Sequence, residues 1–485
     1  MAIEFDEILH HLGDFGFYQK LVYSLMCLCM IPTSFTQLGP AFIGANVPHV
    51  CKTTDDLVKN VTNVKDIRSP IPHELRDGVC RPNQCRRFAD DFDFGGNISM
   101  ALYQDNASCL TELPTLDCDL GWSFDIKNHR TSVVTEWDLV CDRSWLRELA
   151  RSAAYVGVLV GTVLLSPLSD RYGRKPSIFA SVLFQFIFSV CSALSPTLES
   201  FVLFQFLYGC TFFGVYVVTF SYTLEWIGCS KRAFVSNTIV VFYALAYMSQ
   251  GGLAYLVRNW RHLILAMCLP GLFILPYFWI VPESPRWLLS RGDVTEAEVI
   301  ILKAARINKK DISYLMKNLV TMKWDAERNI ARSNIRRNHS IIDLVRTPVL
   351  RKRGFKMFCI WMTSSVSYFG VSLNMSSLQG DTYVNFFLGG AVEIPGVLLA
   401  VYLLDKYGRI VPLCCFCVVA GVGCIASQFF PQDLWYAALS IAVIGKLAVA
   451  AAFWTIVTHS PNFYQLLSGR QDSVRLVASE GSVQL

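Results

Sequence analysis

Ten stretches of this chain run for about 18 residues or more with at most one ionisable side chain, and this spacing constrains the fold more than any other feature. Eight of them, at 21–51, 152–169, 176–198, 200–224, 233–257, 262–282, 357–380 and 410–432, carry no Asp, Glu, Lys or Arg. Two more, 382–404 and 434–457, are interrupted once each, by Glu393 and Lys446. A bilayer core about 30 Å thick takes ~20 apolar residues per helical span. Only 17% of the 485 residues are charged and 53% are hydrophobic, whereas a soluble domain carries roughly a quarter charged residues. Soluble folds are thereby excluded, and the ~10-residue alternation of a membrane β-barrel is missing. The fold class predicted is an all-α membrane protein with ten spans.

The first twenty residues hold Glu4, Asp6, Glu7 and Asp14 and no basic stretch ahead of an apolar core, so no cleavable signal peptide is expected. Basic residues set the orientation. They concentrate at Arg171/Arg174/Lys175, at Lys231/Arg232, at Lys406/Arg409 and in 283–354, which holds 16 Lys+Arg against 8 Asp+Glu. These segments are assigned to the cytosol, with Arg258 and Arg261 the exception on the other side. The resulting organisation is a cytosolic N-terminus (1–20), a first span (21–45), an extracellular loop (46–145), five spans (146–281), a basic intracellular loop (282–354), four spans (355–457) and a cytosolic tail (458–485). The basic loop is expected to lie against the anionic leaflet.

The 46–145 loop differs in character from the rest. Its six cysteines, Cys51, Cys80, Cys85, Cys109, Cys118 and Cys141, read as three disulfides of undetermined pairing, and free thiols are the alternative. Asn60, Asn97 and Asn106 open glycosylation sequons on the same side. Elsewhere the Cys414-Cys415-x-Cys417 cluster lacks partners at zinc spacing, so no metal site and no cofactor are expected.

An internal repeat joins two distant loops. Asp170-Arg171-Tyr172-Gly173-Arg174 follows the second span, and Asp405-Lys406-Tyr407-Gly408-Arg409 follows the eighth, 235 residues later. Glycine permits a tight turn at positive φ, and Asp and Arg form charge-assisted hydrogen bonds across helix ends. Simple positive-inside anchoring explains the Arg but not the repeated Asp and Gly. Two copies at equivalent places indicate a duplicated transporter architecture.

With these motifs the chain resembles the organic cation/anion/carnitine transporters of the major facilitator superfamily, and the organic cation/carnitine branch most closely. The resemblance is carried by Ser169-Asp-Arg-Tyr-Gly-Arg-Lys-Pro, Val281-Pro-Glu-Ser-Pro-Arg-Trp-Leu-Leu, Val392-Glu-Ile-Pro-Gly, Ser132-Val-Val-Thr-Glu-Trp-Asp-Leu-Val-Cys141 and Ser365-Val-Ser-Tyr-Phe-Gly, and covers residues 1 to about 457. It implies two helical-bundle halves that open alternately to each side of the membrane around a central site, with about 10 of the usual 12 helices present here. It also implies that Asp170, Arg171, Gly173, Arg174, Asp405, Lys406, Gly408 and Arg409, with the carboxylates of Glu225 and Glu283 and with Arg286, form a gate in which carboxylates pair with loop arginines. The Gly that usually opens the first loop motif is Ser166.

Glu393 stands eleven residues from each end of its span, near the bilayer midplane. A carboxylate there costs ~2.5–3.5 kcal/mol on insertion scales and must face the bundle interior with a partner. That partner is a cationic substrate, as the matching family position implies, or Lys446. Trp361 and Tyr368 lie seven residues apart on one face of the seventh span, and Phe220 and Tyr222 line the fourth. An ammonium over such rings gains ~0.5–2 kcal/mol each, and plain packing is the alternative role. No basic residue lies inside the seventh or eighth span, which disfavours an anion pocket.

After Thr458 the chain departs from the family pattern and contains no further 18-residue apolar run. The expectation drawn is a shortened or alternative C-terminus without the eleventh and twelfth helices, with Lys446 left short of partners. The function expected is transport of small organic cations or zwitterions, such as quaternary amines and carnitine, at the plasma membrane, with Na⁺ or H⁺ coupling left open. The alternatives are an organic anion transporter, or a transport-inactive form held in the endoplasmic reticulum that acts by interaction. No His-Glu-x-x-His, Gly-x-Ser-x-Gly or P-loop pattern occurs, so an enzyme is not expected, nor is a nucleic-acid partner.

Overall fold

The computed structural model describes residues 2–45, 47–52, 73–76, 79–88, 115–124, 131–311, 348–375, 378, 380–408, 410–427 and 434–467. Every apolar stretch falls on helix. The first span is α2 (Phe17–Leu28), α3 (Met30–Leu38) and α4 (Pro40–Ile43) in sequence, preceded by α1 (Ala2–Leu12). After a one-turn helix α5 (Val133–Glu136) come α6 (Ser144–Tyr172), α7 (Arg174–Ala193), α8 (Leu198–Glu225), α9 (Arg232–Leu256) and α10 (Trp260–Ile274). Two shorter helices follow, α11 (Pro285–Arg291) and α12 (Val294–Asn308). The second half holds α13 (Pro348–Asn374), α14 (Thr382–Ala391), α15 (Glu393–Tyr407), α16 (Ile410–Ala426) and α17 (Trp435–Leu467).

Eight of these segments are long and apolar enough to cross a membrane, with α14 and α15 together forming one of them. The other two expected spans coincide with α13, whose charge-free part is diluted by Thr363, Ser364, Ser365, Ser367, Ser372 and Asn374, and with α16, which at 17 residues is short. The last helix continues to Leu467, ten residues past the expected end of its span.

In the first half, α6 and α8 approach until backbone meets backbone. A Cβ on Gly157 or Gly161 would collide with the carbonyls of Phe206 and Cys210, and one on Gly209 with that of Ala154. Small residues spaced four apart permit this approach, which lipid-solvated helices rely on because they gain little by hiding apolar surface from one another.

Between the first two spans, three two-stranded antiparallel ribbons form: β1 (His49–Cys51) with β6 (Trp122–Phe124), β2 (His73–Arg76) with β3 (Val79–Pro82), and β4 (Arg86–Phe88) with β5 (Thr115–Asp117). Among the described residues, two disulfides, Cys51–Cys118 and Cys85–Cys141, tie the β1–β6 and β4–β5 ribbons to each other and to the turn before α6. Cys80 lies in β3, while Cys109, Asn60, Asn97 and Asn106 fall outside the described residues. Sγ of Cys85 and of Cys141 lie near the His49 ring, but the disulfide already joins them.

Beneath the ribbons, Ile43, Val47, Phe124, Val133, Val134, Phe201 and Trp260 form an apolar seal over the helix ends. Arg261, the exception to the charge rule, is accounted for here. Its guanidinium donates to the carbonyls of Ala193 (2.6 Å) and Ser195 (2.8 Å) at the end of α7, and pairs with Glu136. Burial raises the Glu136 carboxyl, but hydrogen bonds from Arg261 and Trp260 outweigh it and hold the group below the usual carboxylate range.

Candidate functional site

The eighth span is interrupted at Val392, between α14 and α15, and Pro395, which has no N–H, sits in the first turn of α15. The irregularity is confined to Val392, which keeps α-helical backbone angles; its amide bonds to the Leu388 carbonyl and its carbonyl accepts from the Gly396 amide, so Glu393 stands at a slight interruption of one continuing span. Its side chain is fully buried. Oε1 accepts from Tyr368 Oη at 2.6 Å and from Lys446 Nζ at 2.8 Å. Oε2 is also buried and has no hydrogen-bond partner among the described residues.

Lys446 is held from three sides. Its Nζ donates to Ser372 Oγ at 2.6 Å and lies 4.1 Å from the centre of the Tyr368 ring and 5.4 Å from that of Tyr247. Ser372 Oγ donates in turn to the Tyr368 carbonyl, and Tyr247 Oη to the Ser372 carbonyl at 3.2 Å. Of the two partners expected for Glu393, the structure holds Lys446, and the expectation that Lys446 lacks partners is corrected: carboxylate, hydroxyl and ring faces come from α15, α13 and α9. Phe453 stacks on Tyr368 at 4.3 Å, and Trp454 meets both Tyr368 and Tyr243 edge-on. Tyr243 Oη donates to Gln37 of α3 at 2.8 Å.

The site therefore draws on both halves. Gln37, Tyr243 and Tyr247 come from the first, and Tyr368, Ser372, Glu393 and Lys446 from the second. On the side of the ribbons it is closed by Phe42, which stacks on Tyr383 at 5.9 Å and meets Phe386 edge-on at 4.6 Å.

At the opposite end stand the repeated loop residues. Gly173 has φ +111°, and a Cβ there would strike Glu283. Glu283 accepts from the backbone N–H of Arg174 at 3.1 Å and of Lys175 at 3.2 Å. This corrects the expected pairing, since Glu283 takes amides exposed by the glycine turn and, among the described residues, no guanidinium. Arg174 pairs with Asp170 in its own loop and lies 3.4 Å from Glu225. Arg171 is exposed over the Tyr172 ring. Arg286 lies 4.0 Å from Asp6 of α1, which also pairs with Arg232 at 2.6 Å.

In the second copy of the motif, Gly408 again has positive φ, +76°, and Lys406 stands 5.3 Å from the centre of the Tyr407 ring. The side chain of Asp405, and all of Arg409, lie outside the described residues.

Residues 123–470 match the family described as "Sugar (and other) transporter". The chain is 34% identical over 460 residues to the "Organic cation transporter protein" of Drosophila melanogaster, covering 94% of this chain and 81% of that one. It is also 34% identical over 464 residues to "Organic cation/carnitine transporter 2" of Homo sapiens, covering 95% and 81%. The chain belongs to the organic cation/carnitine transporter family. Its fold is that of the major facilitator superfamily: the partially occluded, inward-open xylose transporter XylE from E. coli superposes with a TM-score of 0.50 at 19% identity, over 65% of this chain and 76% of that one. This organic cation/carnitine transporter family member is a multi-pass membrane transporter and not an enzyme.

Of the aromatic residues singled out from the sequence of this family member, Tyr368 touches Glu393 directly. Trp361 stands one ring away, 6.1 Å from Phe453. Tyr222 lies at the gate end, where its hydroxyl donates to the Pro282 carbonyl at 2.8 Å, and Phe220 packs against the surrounding core. Tyr243 and Tyr247, missed in the sequence, stand one turn apart on α9 with Gln250 beyond them, a polar stripe at i, i+4 and i+7.

The gate yields a pH prediction. Burial pushes the Glu283 carboxyl above its usual range, and the amides of Ser284, Lys175 and Arg174 offset this only in part. A carboxyl raised in the folded state destabilises while ionised, and the penalty disappears once pH falls below the unfolded value. Compared with Glu283→Gln, which carries no charge at any pH, the wild-type chain should gain thermal stability as pH is lowered from neutral to below the ordinary carboxylate value. A difference in melting temperature that stays constant over that range would show that burial is not what governs Glu283.

Proposed function

We propose that this chain carries small organic cations and zwitterions, quaternary amines and carnitine-like molecules, across the plasma membrane by alternating access, with Glu393 and Tyr368 receiving the cationic group. One observation carries the reading: an ammonium, that of Lys446, already rests on the Glu393 carboxylate and the face of Tyr368. A site that holds a tethered ammonium in this way has the chemistry to hold a free one. The open Oε2 of Glu393 offers a second acceptor, so an incoming cation engages the carboxylate before Lys446 lets go. A zwitterion satisfies both members of the pair, its cation on Glu393 and its carboxylate on Lys446. An anion alone finds Lys446 already neutralised.

The contributions of both halves support alternating access, and the glycine-turn gate supplies contacts that break and re-form between the two states. Asp170, Gly173, Arg174, Glu225, Glu283 and Arg286 act at that gate, and Tyr222 braces it. Net-neutral zwitterions gain nothing from the membrane potential, so Na⁺ or H⁺ coupling is assigned to them.

Uptake into proteoliposomes tests the reading. A radiolabelled quaternary amine and carnitine should both enter saturably and compete with each other, while an aromatic monocarboxylate should neither enter nor compete. Uptake of the carboxylate in preference to the amine would reverse the assignment.

A further inference from the structure

A cavity of about 690 Å³ opens at the gate end, between the α1–α2 turn, the loop ahead of α9 and the last turn of α12. It lies apart from both the central site and the glycine-turn gate. Three lysines line it, Lys231, Lys309 and Lys310, against one acidic residue, Asp14. Asp14 is already engaged, accepting from Ser230 Oγ and lying 3.5 Å from His10. None of the three lysines has an ion-pair partner among the described residues. Lys309 reaches the cavity by ending α12 in the left-handed region, φ +54°, which turns the chain back so that the Lys310 amide bonds to the Ala305 carbonyl. Three like charges converging on one cavity repel one another, and a multivalent anion relieves that repulsion.

The cavity also sits at a boundary. Phe17, lining it, is 68% exposed, Ile307 is 38% exposed, and Leu21 continues the exposed apolar face one turn into the first span. Apolar surface on one side and ammonium groups on the other, at the end that the basic loops place in the cytosol, match the level of lipid headgroups.

We propose that this cavity binds a polyphosphate anion presented by the membrane: the multiply phosphorylated inositol headgroup of an anionic phospholipid, with its acyl chains along Phe17 and Leu21. Asn308 stitches α12 to the α1–α2 wall, its Nδ2 donating to the Leu12 carbonyl at 3.1 Å and to Gln19 at 2.8 Å and its Oδ1 accepting from the Tyr18 amide at 2.8 Å, while Ser230 Oγ and the Gly228 amide tie the third wall to Asp14. A headgroup bound to Lys231, Lys309 and Lys310 adds a second link across the same walls and stabilises the arrangement in which they meet.

The test uses the full chain in neutral detergent, with thermal unfolding followed against dioctanoyl phosphatidylinositol bisphosphate, dioctanoyl phosphatidylcholine and free inositol trisphosphate. The bisphosphate lipid should raise the melting temperature saturably, and phosphatidylcholine should not. Each lysine removed should weaken the apparent affinity about fivefold, and the triple variant Lys231→Gln/Lys309→Asn/Lys310→Gln about 100-fold. Asn is chosen at 309 because it tolerates the left-handed backbone. If the triple variant does not fold, Lys231→Gln alone, on an exposed loop, still carries the fivefold expectation. Unchanged affinity in a folded variant, or no stabilisation by the lipid, overturns the proposal. Stabilisation by inositol trisphosphate equal to that by the lipid would overturn the membrane source and reassign the cavity to soluble phosphates.

Discussion

Glu393→Gln alone is expected to destabilise the protein more than Glu393→Gln combined with Lys446→Gln. Glu393 and Lys446 are both fully buried and share a hydrogen bond at 2.8 Å. Removing one member leaves the other charge in a low-dielectric interior with no counter-charge, at a cost of about 3–5 kcal/mol. Removing both leaves two neutral amides that Tyr368 and Ser372 can still hydrogen-bond, and most of the loss should be recovered. Lys446→Gln alone should resemble Glu393→Gln. The check is a double-mutant cycle on melting temperature and on the amount of folded protein recovered, in which the two single losses should exceed the double by several kcal/mol. Additive losses would mean that the charges do not depend on each other. The same arithmetic limits what a single substitution can reveal about transport, because a carboxylate variant loses substrate contact and stability together.

The second large effect concerns the membrane potential. The Glu393–Lys446 pair is neutral, so the empty carrier returns without moving net charge, and the carrier loaded with a monovalent cation moves one. An inside-negative potential of 100 mV supplies ~2.3 kcal/mol to that step, which corresponds to roughly 50-fold accumulation. In proteoliposomes with an imposed potassium diffusion potential, a quaternary amine should accumulate to about that ratio and leak back out on depolarisation. Carnitine, with no net charge, should merely equilibrate under the same conditions unless an ion gradient is added. Cation uptake indifferent to the potential would mean that a compensating charge moves with it.

Much of this was legible in the chain. Ten runs with at most one ionisable residue locate helical segments, because a bilayer admits only helices and closed barrels and the alternation of a barrel is missing. The twin Asp-x-x-Gly-Arg loops disclose a duplication. Glu393 stands out as a midplane carboxylate, and Tyr368 as an aromatic residue fit to serve it.

Other features were not legible. The pairing of Glu393 with Lys446 was one of the two partners the sequence offered, and it is the one present; Ser372, 74 residues from Lys446, and the Tyr247 ring were not legible, because no local period encodes that meeting. Glu283 reads as a partner for arginine, whereas the positive φ of Gly173 turns backbone amides towards it. Tyr222 could have been placed correctly from depth alone. It stands three residues before Glu225, already assigned to the gate end, so an aromatic side chain of the right type was simply at the wrong level of the membrane.

We propose the buried pair of Glu393 and Lys446 as the substrate site. The most direct measurement is saturable uptake of a radiolabelled quaternary amine into proteoliposomes by the wild-type chain and by Glu393→Gln/Lys446→Gln, at matched amounts of folded protein. The predicted result is saturable, potential-dependent uptake by the wild type and its loss in the double variant. A folded double variant that transports the amine with unchanged KM and rate would contradict the claim and leave the pair a structural element of the bundle.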